Sequence, residues 1–531
     1  MLTRAVSAVA PRFVLAGVVA LAIGLRVVFF VGLASGDPQD DGVYYGNALA
    51  LLREGPRYLE RFRDLPADFI ANPIDQFHVR PMVTYPIAGS FALFGPGEVP
   101  ATLWPFVCSI LTVLVVYRLG DLAGGPAVGA LAALLCAIYP LEVINGTRIL
   151  SDVPVGFFGA AALLLLVESR RRAQPGLWCV LSGVAAGGAY LANGRGLVIL
   201  AAIVASASLL AAARRASWQG PAWCLAGFAV VFGLEATAYG VSTGDPLLNY
   251  RIHAGAAHFK YLHEPVSTLD WGWLQLHFTN GRPLELLARV ARAFPSPTDQ
   301  LGWYFYLFAV SALFSLVQRR HRLLLVFAAG IFAYLEFGPV KISFDWPRSE
   351  LHYMMVFKQE RFLLMITAPL VVMAASFLHA VASRSRLAAA MVLTGLVVTS
   401  VEGMAQTRTH YRGGLSDLRA ATRFVVARPD RVVFGDWWAV EHVRIFSRYS
   451  AENLRVLNPQ TTPGDLQGAC VMLGGSRGAE LMAGYVESTL PQFARDMMNP
   501  QATPAGWTLA LTIAGPVSPL RLRDFIIYCA P

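Results

Sequence analysis

The run from Phe13 to Ala34 carries one charged residue, Arg26, over a length that crosses the hydrocarbon of a bilayer as an α-helix. Comparable apolar runs recur at about 100–118, 126–144, 153–168, 176–192, 196–213, 221–241, 301–318, 323–340, 361–382 and 387–405. Few architectures accommodate so many. Of the 531 residues, 55% are hydrophobic and 15% charged, against about 25% charged in soluble proteins. That shortage of polar surface excludes a soluble enzyme, a disordered protein and a fibrous repeat. The expectation is an all-α polytopic membrane protein with about eleven transmembrane helices. The first run exceeds a signal-peptide core and lacks a small-residue cleavage site, so it reads as a retained signal anchor.

Charge placement orients the spans. The net charge of +9 is almost all arginine, since Lys260, Lys341 and Lys358 are the only lysines. Arg170–Arg172, Arg214–Arg215, Arg319–Arg322 and Arg384/Arg386 fall in the short loops after the fourth, sixth, eighth and tenth spans. With a cytoplasmic N-terminus all four loops are cytoplasmic, as the positive-inside rule requires. Loops 35–99, 242–300 and 341–360, with the tail from 406, then face the exterior. Met82 to Phe94 is too short to span and carries Pro86 and Gly89; counting it would invert every later loop. It is expected to be a re-entrant or juxtamembrane helix.

Residues 1–405 thus form a membrane domain and 406–531 a small soluble α/β domain, where Arg431–Gly435 and Asn453–Leu457 look like strands. Cys108, Cys136, Cys179 and Cys224 lie in spans and act as small apolar residues. Cys470 and Cys529 lie in the exterior tail, where a disulfide is possible.

The unusual polar residues gather on the exterior face. Asp40 and Asp41, followed by Tyr44, stand just past the first span. They either cap the helix over Tyr44–Arg53 or act on an acceptor, one carboxylate removing a proton while the other orients the acceptor or a cation. His78 and Arg80 precede the re-entrant helix and Tyr85 lies within it; Arg80 either anchors that helix or binds an anion. Arg148 and Asp152 join spans three and four, Asp152 also being a natural helix cap. Asn145-Gly-Thr147 matches a glycosylation acceptor, a short pattern that carries little weight. Arg195 lies between spans five and six, and Lys341, Lys358 and Arg361 lie near span ten. Cations on the exterior side run against the topological bias, and an anionic lipid head group accounts for them. Carboxylates among such cations suit a reaction whose leaving group is a lipid phosphate.

The order of these stretches resembles the GT-C glycosyltransferases, in the bacterial branch related to protein O-mannosyltransferases and the lipid A aminoarabinose transferase. It runs Asp40-Asp41-x-x-Tyr44-Tyr45, Arg80-Pro81-x-x-x-Tyr85-Pro86, Leu93-Phe94-Gly95, Asp152-x-Pro154 and Lys358-x-x-Arg361-Phe362-x-Leu364. The resemblance covers roughly residues 10–400 and is most specific over 36–168. It implies a polyprenyl-phosphate sugar donor, an exterior active site and an inverting single displacement. Asp40 matches the presumed base or acceptor-positioning group, Asp41 its usual Glu neighbour and Asp152 a second acid near the cavity. Arg80 matches a contact to the lipid phosphate, and Lys358 with Arg361 a second phosphate-binding motif. Val43 and Asn193 stand where aminoarabinose transferases have basic residues, with Arg195 a substitute for the latter. The sugar and the acceptor, whether glycan, lipid or protein, therefore stay open.

No cofactor is required by this reading. Some relatives bind a divalent metal, for which His253, His258, His263 and Glu264 are candidates, though their spacing fits no standard motif. The main alternative is a transporter or flippase of a lipid-linked or anionic substrate, using Arg26, Glu235 and Glu336 in or near the spans. Matched interrupted helices, expected of such a protein, are not evident. A scaffold for an envelope complex would leave the exterior charges without a role. The expected location is the bacterial plasma membrane with the tail in the periplasm.

Overall fold

The structure is a computed structural model that describes residues 2–33, 38–62, 80–213, 216–249, 300–337, 339–345, 350–355, 360–413, 415–448, 450–473, 490–497, 506–513 and 525–531. His78, Lys358 and the candidate metal ligands His253, His258, His263 and Glu264 lie outside the described residues, as do the side chains of Asp40, Glu336 and Lys341. The chain is mostly helical and ends in a small mixed sheet. Among the described residues, six helices are long and apolar enough to cross a membrane and five shorter ones are apolar. Two compact units form, one from residues 1–30, 53–86 and 104–407, the other from 31–52, 87–103 and 408–531.

The helices, in chain order, begin with α1 (Leu2–Val28), α2 (Pro38–Glu54), α3 (Pro81–Phe94) and α4 (Glu98–Gly124). Next come α5 (Pro126–Ile138), α6 (Pro140–Asn145), α7 (Asp152–Ser169), α8 (Pro175–Ala192), α9 (Gly196–Ala212) and α10 (Gln219–Thr243). Then follow α11 (Tyr304–Leu316), α12 (Arg322–Phe337), α13 (Thr367–Arg384) and α14 (Arg386–Gly413). The 27 residues of α4 rise about 40 Å, more than the hydrocarbon core of a bilayer. Val241, Leu313 and Leu387 stand 86%, 67% and 71% exposed on α10, α11 and α14. Side chains that apolar belong against lipid.

In the first unit α8 packs between α7 and α10. Gly183 and Gly227 let α8 and α10 touch backbone to backbone, because a Cβ at either would overlap the facing carbonyl of Cys224 or Val180. Small residues are the usual means of such an approach where lipid removes the hydrophobic drive between helices. Arg26 is fully buried, and its Nε and Nη2 donate to Ser109 Oγ at 2.9 and 2.7 Å. Ser109 in turn donates to Glu142 Oε2 at 3.0 Å, tying α1, α4 and α6 together. Glu235 accepts from Asn249 Nδ2 at 2.6 Å.

Local chemistry changed several expected elements. The single span expected at 126–144 breaks at Tyr139–Pro140 into α5 and α6, since proline cannot donate to the preceding turn. The span expected from 361 starts as a 3-10 segment, Glu360–Ile366, held among α6, α7, α12 and α13. The loop expected at 341–360 contains an antiparallel hairpin, β1 (Pro339–Asp345) with β2 (Glu350–Met355), in which Lys341 faces Met354. The membrane domain is therefore not all-α. The helix expected over Tyr44–Arg53 begins earlier, at Pro38, which puts Asp40 and Asp41 inside its first turns rather than at its cap. Pro38 opens it because its missing N–H is an orphan of that turn in any case.

In the second unit, α15 (Ser416–Val426) and α16 (Trp437–Phe446) accompany a five-stranded sheet. Its strands are β3 (Val433–Gly435), β4 (Leu454–Val456), β5 (Cys470–Leu473), β6 (Thr508–Ile513) and β7 (Phe525–Cys529), in the order β4-β3-β5-β7-β6. β3 is parallel to β4 and β5, whereas β7 is antiparallel to β5 and β6. Leu466, Val471, Leu473, Ala494 and Ile527 are buried there. Cys470 and Cys529, opposite each other in the ladder, form the disulfide that the sequence leaves open. Arg419 grips Glu98 in two parallel hydrogen bonds of 3.0 and 2.6 Å.

Candidate functional site

Ser151 and Asp152 begin α7, and the loop Asn193–Arg195 joins α8 to α9. The 3-10 segment from Glu360 lies against both α6 and α7. Gly156 permits this, because a Cβ there would come within 2.7 Å of Leu364 O. These three stretches bring charged groups far apart in the chain to one place.

Asp152 is buried, with Arg361 Nε 3.4 Å from Oδ2 and Arg195 Nη1 3.5 Å from Oδ1. The Arg195 guanidinium also lies over the Phe362 ring, 3.5 Å from its centroid. A planar cation on an aromatic face is held in position and partly desolvated. Ser151 Oγ accepts from Arg80 Nη1 at 2.7 Å and from Asn193 Nδ2 at 3.2 Å. Asn193 Oδ1 accepts from Arg195 N at 3.1 Å, so one amide fixes both the serine and the loop that carries the arginine. Three arginines separated by up to 281 positions thus face one Ser-Asp pair at a helix start. The partial positive charge of the α7 N-terminus adds to theirs.

Such a cluster favours an anion with several oxygens, and guanidinium forks match phosphate geometry. Ion-paired with two arginines, Asp152 acts on their orientation. Arg148, buried beside this stretch, donates from Nη1 to Asn145 Oδ1 at 3.2 Å. Asn145 is fully buried, so the Asn145-Gly-Thr147 pattern is closed to a modifying enzyme in the folded chain. Tyr85, five residues beyond Arg80, is 44% exposed. Trp104 Nε1 donates to Met82 O at 2.6 Å and fixes the start of α3.

Asp40 and Asp41 belong to the second unit. Asp41 is fully buried, as are Tyr44 and Tyr45, and the Tyr45 ring lies 4.8 Å from that of Phe91. Among the described residues no three His, Cys, Asp or Glu side chains are placed to hold a metal. Ser151 is the member of the cluster that sequence reasoning did not single out, and Phe362 stands there only as a position in the Lys358-x-x-Arg361-Phe362-x-Leu364 motif, with no role of its own. A serine before a capping-type aspartate and a phenylalanine after an arginine carry no mark of their own; only the fold brings them to Arg80 and Arg195.

Residues 78–237 match the family described as dolichyl-phosphate-mannose-protein mannosyltransferase. No curated protein matches the chain by sequence. By fold it is similar to ArnT from Cupriavidus metallidurans bound to undecaprenyl phosphate. The TM-score is 0.56 at 12% identity, covering 97% of this chain and 98% of that one. The oligosaccharyltransferase of Archaeoglobus fulgidus in its apo form matches with a TM-score of 0.54 at 15% identity, covering 97% of this chain and 76% of that one. Its complex with Zn and sulfate matches at 0.52 and 16% identity, and there 90% of this chain spans 66% of the archaeal enzyme. The matched segment contains Arg80, Ser151, Asp152 and Arg195 and spans less than half of the chain; the chain is thus a multi-span membrane protein whose fold is similar to that of ArnT and whose residues 78–237 are similar to the dolichyl-phosphate-mannose-protein mannosyltransferase family.

Proposed function

We propose that this protein is an inverting glycosyltransferase that moves a sugar from a polyprenyl phosphate to an acceptor at the periplasmic face of a bacterial plasma membrane. The observation that carries the reading is the convergence of Arg80, Arg195 and Arg361 on Ser151 and Asp152. In the displacement, the acceptor oxygen attacks the anomeric carbon as the bond from that carbon to the phosphate oxygen breaks. The acceptor proton passes to a carboxylate, assigned to Asp40 with Asp41 beside it. The leaving polyprenyl phosphate gains negative charge, which the arginines stabilise without reorganising. Asp152 holds Arg195 and Arg361 for that task, and Lys358 and Lys341 supply further cations. Tyr44, His78, Tyr85 and Arg148 are assigned to substrate binding.

Eleven spans, a cytoplasmic N-terminus and a periplasmic 406–531 domain complete the reading, supported by the arginines of the short loops. Of the charges a transporter would use, Arg26 is bound through Ser109 to Glu142 and Glu235 to Asn249. Those bonds suit a scaffold around a surface reaction better than a conducting path. The test is Asp40→Asn in the full chain, with donor binding and transfer measured separately. It should leave expression and donor affinity intact and abolish transfer. Full transfer activity would remove Asp40 from the role of base.

A further inference from the structure

At the end of α7 opposite Asp152, the first unit has a partly open cavity of about 570 Å³ between α4, α7, α9 and α12, with exposed arginines at its mouth. The 18 residues of α7 put the cavity about 27 Å along the helix from the Ser151–Asp152 cluster. Its lining has two chemistries. Arg170 and Arg171 come from the loop after α7, and Arg319, Arg320 and Arg322 from the turn before α12. Leu122, Val167, Leu209 and Leu323 make an apolar wall to which all four helices contribute.

Arginines that only set topology need to share a side of the membrane, not a cavity. Here two loops about 150 residues apart in sequence deliver five of them to one concavity. No acidic residue is among the described lining. The acids next to the lining residues in sequence are held by other arginines, Asp121 by Arg118 at 2.7 Å and Glu168 by Arg118 and Arg172 at 2.6 and 3.1 Å. Ser206, in the lining and fully buried, has no hydrogen-bond partner for its Oγ among the described residues. A buried hydroxyl in that condition is costly unless a ligand meets it.

We infer that this cavity is a second phosphate site, which takes a lipid with an anionic phosphate head group. The phosphate lies among the arginines, Ser206 donates to an oxygen, and the hydrocarbon chain follows the leucine wall. This rests on no assumption about the transfer reaction.

The test is native mass spectrometry of the purified full chain in detergent, titrated separately with dioleoylphosphatidylglycerol, undecaprenyl phosphate, dioleoylphosphatidylcholine and inorganic phosphate. Arg320→Gln/Arg322→Gln should weaken retention of the anionic lipid about tenfold or more. Leu209→Trp, which adds bulk to the apolar wall and leaves every charge, should also weaken retention, so the inference survives if the arginine variant fails to fold. Loss of bound phosphatidylglycerol in the variants assigns the site to bulk phospholipid, and loss of undecaprenyl phosphate assigns it to the carrier. Equal retention of both anionic lipids by the wild type and the variants would overturn the inference. So would equal binding of phosphatidylcholine, or displacement of the lipid by inorganic phosphate at comparable concentration.

Discussion

Replacing Asp152 with Asn probes the arginine cluster directly. The change keeps the shape of the side chain and removes the charge that lies 3.5 Å from Arg195 and 3.4 Å from Arg361. At an effective dielectric constant of about 20, each pair attracts by about 5 kcal/mol before desolvation is counted. Removing one partner of a fully buried ion pair costs about 3–5 kcal/mol; with the Arg195 and Arg361 side chains 29% and 11% exposed, the net cost here is about 1–3 kcal/mol. The variant should therefore melt several degrees lower in detergent. Two guanidiniums deprived of their carboxylate should also take up an anion more readily. Undecaprenyl phosphate should then raise the melting temperature of the variant by more than that of the wild type, since a ligand stabilises according to its affinity for the folded state. Adding Arg195→Gln to Asp152→Asn should recover part of the lost stability, because it removes one of the two uncompensated cations. Unchanged melting in the single variant would refute the ion-pair reasoning. Equal stabilisation of variant and wild type by the lipid phosphate would refute the placement of the phosphate at this cluster.

Arg80→Ala removes the 2.7 Å bond to Ser151 and should weaken donor binding about 10- to 100-fold, as should Lys358→Ala. Unchanged affinity for polyprenyl phosphate would leave both as helix anchors. Reducing the Cys470–Cys529 bridge opens a loop of 59 residues and should cost the C-terminal sheet about 4 kcal/mol. Hydrogen exchange at β5 and β7 with and without reductant reads this out, and identical protection would refute it. Burial, with Arg320 beside it, pushes the His321 imidazolium down to about 4, below its ordinary value of about 6.5. The unfolded chain then binds a proton that the folded chain refuses, so stability is full above about pH 7 and falls as pH drops from about 6.5 towards 4. His321→Asn should flatten that slope in melting curves, and a slope equal to that of the wild type would refute the assignment.

The parts of the fold that were legible in the sequence are those set by one long apolar pattern. The run expected at 176–192 forms α8 (Pro175–Ala192), and that at 221–241 forms α10 (Gln219–Thr243). Hydropathy averages over a window, so it cannot see Tyr139–Pro140 divide a span. Period two is present in the sequence of the hairpin: Val340, Ile342 and Phe344 alternate with Lys341, Ser343 and Asp345. Its position between two apolar runs made it read as a loop. Residues in the site were legible singly, because an arginine on the exterior side of a span violates the topological bias and calls for a partner. Their convergence was not. It depends on Gly156 admitting Leu364 and on Asn193 joining Ser151 to Arg195, contacts that bridge up to 208 positions and have no local pattern.

Arginine makes up nearly all of the positive charge in this chain, and bonding separates its uses better than position does. Arg26 is spent within the helices, bound to Ser109 and, through it, to Glu142. Arg118 and Arg172 saturate Glu168. Arg195 and Arg361 both lie against the carboxylate of Asp152, and Arg80 donates to the adjacent Ser151. Gathering three guanidiniums at one helix start is a costly way to stabilise a fold, because like charges repel. It is a good way to keep cations oriented towards charge that develops during a reaction, where preorganised donors act without moving. The convergence of Arg80, Arg195 and Arg361 on one Ser-Asp pair is therefore the argument for a phosphate at this place.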